Sequence, residues 1–105
     1  MAWVLLFVAG LLEIVWAYTM KLSQGFTRPA ASSVTLVVML ASFGLLSAAM
    51  RTLPLGTAYT VWTGIGAFGA FVVGIFILGE PVSAPRIIAA ALIMSGIIVM
   101  KATTT

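Results

Sequence analysis

Four apolar runs, each close to the length that crosses a bilayer and each closed by charge, proline or glycine, constrain this chain more than any other feature. At 1.5 Å per residue, about 20 helical residues cross a hydrocarbon core of roughly 30 Å. Of the 105 residues, 63% are hydrophobic and only 7% charged, so the runs have no soluble core to join. The charged side chains are Glu13, Lys21, Arg28, Arg51, Glu80, Arg86 and Lys101, and all but Glu13 fall at or near the breaks. The fold class expected is an all-α membrane protein of four transmembrane helices, forming a single domain over residues 1–105.

The breaks set the helix limits. The first helix is expected over about 3–20, ended by the polar connection Lys21-Leu-Ser-Gln-Gly-Phe-Thr-Arg28. Pro29 can open the second, over about 30–50. Arg51-Thr-Leu-Pro54-Leu-Gly56 interrupts the chain again, because Pro54 biases Leu53 away from helical angles, and a third helix follows over about 57–78. Gly79-Glu80-Pro81 closes it, and Ser83 before Pro85 has the pattern of an N-cap with proline in the first turn of a fourth helix, about 84–101. The apolar stretch Ile87–Met100 is short enough for an interfacial segment. Arg86 and Lys101 favour a span, since their long stems can snorkel toward the headgroups from each end.

Composition also excludes chemistry. Without cysteine, histidine or aspartate there is no disulfide, no thiolate, no metal cluster and no nucleophile–base triad, so neither a cofactor nor an enzyme is expected. No nucleic-acid partner is expected; the lipid bilayer is the surrounding partner. The first run is not expected to be a secretory signal, having no basic n-region and a carboxylate within it.

That carboxylate, Glu13, is where function is sought. An acidic side chain near the bilayer centre costs roughly 2.5–3.5 kcal/mol on insertion scales, and its default reading is an ion or proton site. On the first helix Leu6, Gly10, Glu13, Ala17 and Met20 share a face, with Trp16 beside it. On the third, Tyr59, Trp62, Gly66, Gly69 and Val73 form a second face, aromatic at one end and glycine-lined farther on. Gly64 and Gly66 have two readings, close packing and a bend point for alternating access. Ala89 and Gly96 on the fourth helix form a small-residue stripe, a dimer contact or a packing surface within one copy.

Loop charge does not select an orientation. Both termini share a side with Arg51 and Lys101, and the opposite side has Lys21, Arg28 and Arg86. So weak a bias suggests that the chain inserts both ways and that oppositely oriented copies pair, bringing eight helices and two Glu13 side chains around one cavity. The alternative is a monomer held in one orientation.

Gly10-x-x-Glu13-x-x-Trp16-Ala17, then Lys21-x-Ser23-x-Gly25-Phe26-Thr27-Arg28, then Leu53-Pro54-Leu55-Gly56-Thr57-Ala58-Tyr59-x-x-Trp62-Thr63-Gly64-Ile65-Gly66 carry a resemblance. The chain resembles the small multidrug resistance transporters, over all four spans. Gly10 and Trp16 around the glutamate look like the guanidinium exporter branch. The resemblance implies an antiparallel, dual-topology homodimer in a bacterial inner membrane that exchanges protons for a cation at the paired Glu13 carboxylates. It also implies that Trp16, Ser42, Tyr59 and Trp62 line that site. Tyr18 and Thr60 depart from the family's usual pattern and leave substrate breadth open.

The chemistry of the residues suits the same cargo. Guanidinium is planar, permanently charged and offers paired N–H donors that match a carboxylate bidentately. A ring such as Trp16, Trp62 or Tyr59 can bind its face, worth on the order of 1–2 kcal/mol when desolvated, and Ser42 or Tyr59 can orient the carboxylate. Each also has a plainer role: Ser42 bonded to the carbonyl one turn earlier, Trp62 and Tyr59, like Trp3, in an interfacial aromatic belt. Burial penalises the charged carboxylate unless a proton or a cation accompanies it, so the two exclude one another. Two coupled carboxylates exchanging two protons for one monovalent cation would make transport electrogenic. Two rivals remain: a polyspecific exporter of quaternary ammonium or aromatic cations, and a non-transporting assembly subunit.

Overall fold

The computed structural model describes residues 1–103, which form four helices: α1 (Ala2–Leu22), α2 (Pro29–Ala49), α3 (Leu55–Phe76) and α4 (Ala84–Thr103). All four are long and apolar enough to cross a membrane. α1 runs past its expected end, so Lys21 sits in its last turn, where a cation offsets the partial negative charge of the unpaired carbonyls. Ser23 then stops the helix. Its hydroxyl donates to the Met20 carbonyl at 2.6 Å and accepts the Phe26 amide at 3.0 Å. Gln24, Gly25 and Phe26 follow in left-handed conformations, with φ of 51°, 74° and 64°, and reverse the chain toward Pro29 at the start of α2.

α3 begins two residues earlier than the sequence suggests. Pro54 has extended angles, φ −60° and ψ 150°, and its carbonyl accepts the Ala58 amide at 3.0 Å, so it caps the helix and Gly56 falls within the first turn. At the other end α3 stops at Phe76, and Gly79, at φ 70°, turns the chain. The Ser83 carbonyl accepts the Ile87 amide at 3.1 Å and Pro85 lies in the first turn of α4, which continues through Lys101 to Thr103.

α1 is the hub, packed on α2 along one side and α3 along the other, while α4 packs on α3 and reaches α1 through Lys101, whose ammonium lies 5.3 Å over the Trp3 ring. Between α1 and α2 the Thr19 and Thr35 hydroxyls meet at 2.6 Å. Between α1 and α3, and between α3 and α4, glycines receive side chains. A Cβ on Gly10 would lie 2.6 Å from Ile65, one on Gly69 would strike Ile14, and one on Gly64 would lie 2.7 Å from Ile97. Such contact is how helices associate where lipid is as apolar as the side chains. The buried core of Leu6, Ala9, Leu46, Ala49, Ala58, Val61 and Trp62 gathers where α1, α2 and α3 meet.

The outcome is a slab of 43 × 34 × 16 Å. With the helices packed in the order α2, α1, α3, α4, the described residues form a thin layer rather than a closed bundle.

Candidate functional site

Glu13 lies half-buried in the middle of α1, and its side chain rests on α3 at Gly66. Only a glycine permits this, because a Cβ there would occupy the space of the Glu13 carboxyl group. The carboxylate atom Oε1 is buried, and among the described residues it has no hydrogen-bond partner. One turn along α1, Trp16 Nε1 is likewise buried and unpartnered. Unsatisfied polar atoms at membrane depth cost free energy, and two of them within one turn make this part of α1 the candidate site.

Trp16, one turn along α1 from Glu13, begins a row of aromatic rings that crosses three helices. Trp16 of α1 meets Phe43 of α2 edge-on at 6.2 Å, Phe43 meets Trp62 of α3 at 5.8 Å, and Trp62 meets Tyr59 at 5.7 Å. Trp62 is buried, away from the belt position considered for it, whereas Tyr59 is 53% exposed at the outer end of the row.

The row is held by a hydroxyl. Ser42 is fully buried, accepts the Trp62 indole N–H at 3.1 Å and donates to the Ala9 carbonyl at 2.7 Å. A serine hydroxyl has one proton, and here α1 takes it. Ser42 therefore neither bonds its own preceding turn nor orients the carboxylate of Glu13 directly, the two roles considered for it. Ala9 is four residues before Glu13, so its carbonyl also accepts the Glu13 amide in the helical ladder. Ser42 and Trp62 are thus fastened to the turn of backbone that carries the carboxylate. Ser42→Ala is expected to leave the buried indole donor unsatisfied and to cost about 1–3 kcal/mol. The check is a lowered thermal midpoint in detergent; an unchanged midpoint would remove this bond from the account.

The remaining candidates separate into groups. Gly10 lies in the α1–α3 contact against Ile65, on the face that Glu13 shares, so in the single chain that face meets α3. Gly66 receives Glu13 and Gly64 receives Ile97, both within an unbroken α3. Ala89 and Gly96 lie exposed on α4, and among the described residues no atom lies within 4 Å of a Cβ placed on Gly96. Phe43 and Ala9 are the two site members that sequence reasoning missed. Phe43 directly follows Ser42, about 100° around the helix, so no shared-face pattern points to it.

With this geometry in place, comparison with known proteins is informative. Residues 1–93 match the family described as Small Multidrug Resistance protein. The chain is 53% identical to a guanidinium exporter of Citrobacter freundii over 104 residues, covering 99% of each chain. It is 54% identical over 101 residues to a guanidinium exporter of Yersinia pestis, covering 96% of this chain and 97% of that one. It is 52% identical over 101 residues to a guanidinium exporter of Salmonella typhimurium strain LT2, covering 96% of each. These relatives are exporters, not enzymes. Four membrane-crossing helices and near full-length identity to bacterial exporters lead to one conclusion: the chain is a multi-pass transporter of the bacterial inner membrane and belongs to the Small Multidrug Resistance protein family.

Proposed function

We propose that this protein exports guanidinium, or small substituted guanidinium ions, in exchange for protons by alternating access. The observation that carries the reading is the buried, unpartnered Oε1 of Glu13 on its glycine seat in the middle of a span. A desolvated carboxylate needs a positive companion, and a proton and a guanidinium are alternatives for that place. Trp16, whose indole N–H is unpartnered among the described residues, and the row Phe43, Trp62 and Tyr59 supply rings for a planar cation. The relatives named guanidinium exporters agree with this cargo.

The working unit is an antiparallel, dual-topology homodimer, and the thin slab of a single chain supports it, because a path has to lie between two such layers. Two Glu13 carboxylates then share one cavity, lined by Trp16, Ser42, Tyr59, Trp62 and Gly10. The exposed stripe of Ala89 and Gly96 serves as a contact between copies. Bending of α3 near Gly64 and Gly66 opens the cavity alternately to either side.

Substrate-evoked current from purified protein in liposomes tests the reading, comparing guanidinium with a tetraalkylammonium ion. Two protons exchanged for one monovalent cation predict a current with guanidinium alone. Currents with both ions would replace the reading by a polyspecific cation exporter. No current and no proton flux in folded, dimeric protein would favour a non-transporting assembly subunit.

A further inference from the structure

A cleft of about 340 Å³ begins one turn beyond the carboxylate, between the C-terminal halves of α1 and α3 and the start of α4. It has two kinds of wall. Ile14, Ala17, Ala67, Ala70, Phe71 and Val73 make an apolar floor, and Tyr18, Lys21, Glu80 and Arg86 are the polar residues that border it. From Ile14 to Lys21 the helix rises about 10 Å, so the cleft runs from within the hydrocarbon to the membrane surface.

The charges there are not neutralised by one another. Among the described residues the Lys21 ammonium has no partner. The Arg86 guanidinium lies 5.8 Å over the Phe71 ring and its Nη1 donates to the Pro81 carbonyl at 3.5 Å, which leaves most of its donors unused. The carboxylate of Glu80 is turned onto Gly74, where a Cβ would meet Oε1, instead of bridging the two cations. Tyr18, one of the two departures from the family's usual pattern, adds a phenolic hydroxyl to the same rim.

We propose that this cleft binds the phosphate of an anionic glycerophospholipid of the phosphatidylglycerol type, with Lys21 and Arg86 on the phosphate, Tyr18 beside it and an acyl chain along the apolar floor. A basic rim above an apolar groove matches a phospholipid in both halves, and a free anion would use only the rim. Glu80 opposes the headgroup and limits affinity. The site does not depend on the transport reading, since among the described residues none of its polar side chains is hydrogen-bonded to Glu13 Oε1.

Native mass spectrometry of the purified dimer or monomer, titrated with phosphatidylglycerol or phosphatidylcholine of the same chains, provides the test. At about 1 kcal/mol for each basic residue, phosphatidylglycerol is expected to bind roughly thirtyfold more tightly than phosphatidylcholine. Lys21→Gln with Arg86→Gln removes the preference, and Glu80→Gln strengthens it, an increase that damaged folding does not produce. Equal binding of the two lipids, or a preference unchanged in the double variant, overturns the proposal. Displacement of the lipid by millimolar inorganic phosphate overturns it as well, in favour of a free-anion site.

Discussion

Glu13→Gln is expected to abolish guanidinium-evoked current and, with it, proton flux coupled to substrate. Glutamine keeps the shape and the place on Gly66 but has neither the negative charge nor a proton to exchange. Guanidinium loses two charge-assisted hydrogen bonds, each worth about 1.5–3 kcal/mol net, so its binding weakens by about 10²- to 10⁴-fold. The pH response supplies a second readout. In the parent protein, acidification should weaken apparent guanidinium binding, because protons compete for the same oxygens. In Glu13→Gln any residual binding should be flat with pH. The measurement is current and binding isotherms at several pH values; substrate-coupled proton flux that persists in the variant would sink the assignment of Glu13.

The second large effect is expected at Gly66. A methyl group there takes the space of the Glu13 carboxyl, which has to swing away from its seat. Alanine improves helix propensity by about 1 kcal/mol, and overpacking costs about 1–3 kcal/mol, so the net change in stability is small. Transport is another matter, since the carboxylate is no longer where the two ligands meet it, and a misplacement of about 1 Å can cost on the order of a hundredfold in rate. Gly66→Ala should therefore stay folded and transport at a few per cent of the parent rate or less. Gly44→Ala is the control, with nothing within 4 Å of its added Cβ. Near-parental transport in Gly66→Ala would mean that the seated position of Glu13 is not the one that turns over.

The four helices and the carboxylate were legible in the sequence because each rests on a signal local to the chain. Hydropathy and charge breaks give the spans, and one ionisable residue inside a span stands out against its neighbours. Helix ends were legible less well. Pro54 was expected to precede the start of α3 by a short gap, but its fixed φ allows it to cap the helix directly. What escaped depends on the register between helices. That Ser42 spends its proton on Ala9 is set by how α2 lies along α1 and leaves no trace in either helix's own pattern. Phe43 escaped for the same reason, since its two tryptophan neighbours come from α1 and α3.

The glycine seats along α3 restrict how this helix can move. Gly64 holds Ile97, Gly66 holds Glu13, Gly69 holds Ile14 and Gly74 holds the carboxylate of Glu80. Each seat faces a particular neighbour, and neighbouring residues on a helix point about 100° apart. Spinning α3 by even one residue would drive side chains into three elements at once, whereas tilting it leaves every seat opposite its occupant. The bend proposed at Gly64 and Gly66 is therefore expected to tilt the two halves of α3 without turning either about its axis, as a keyed shaft flexes but does not spin.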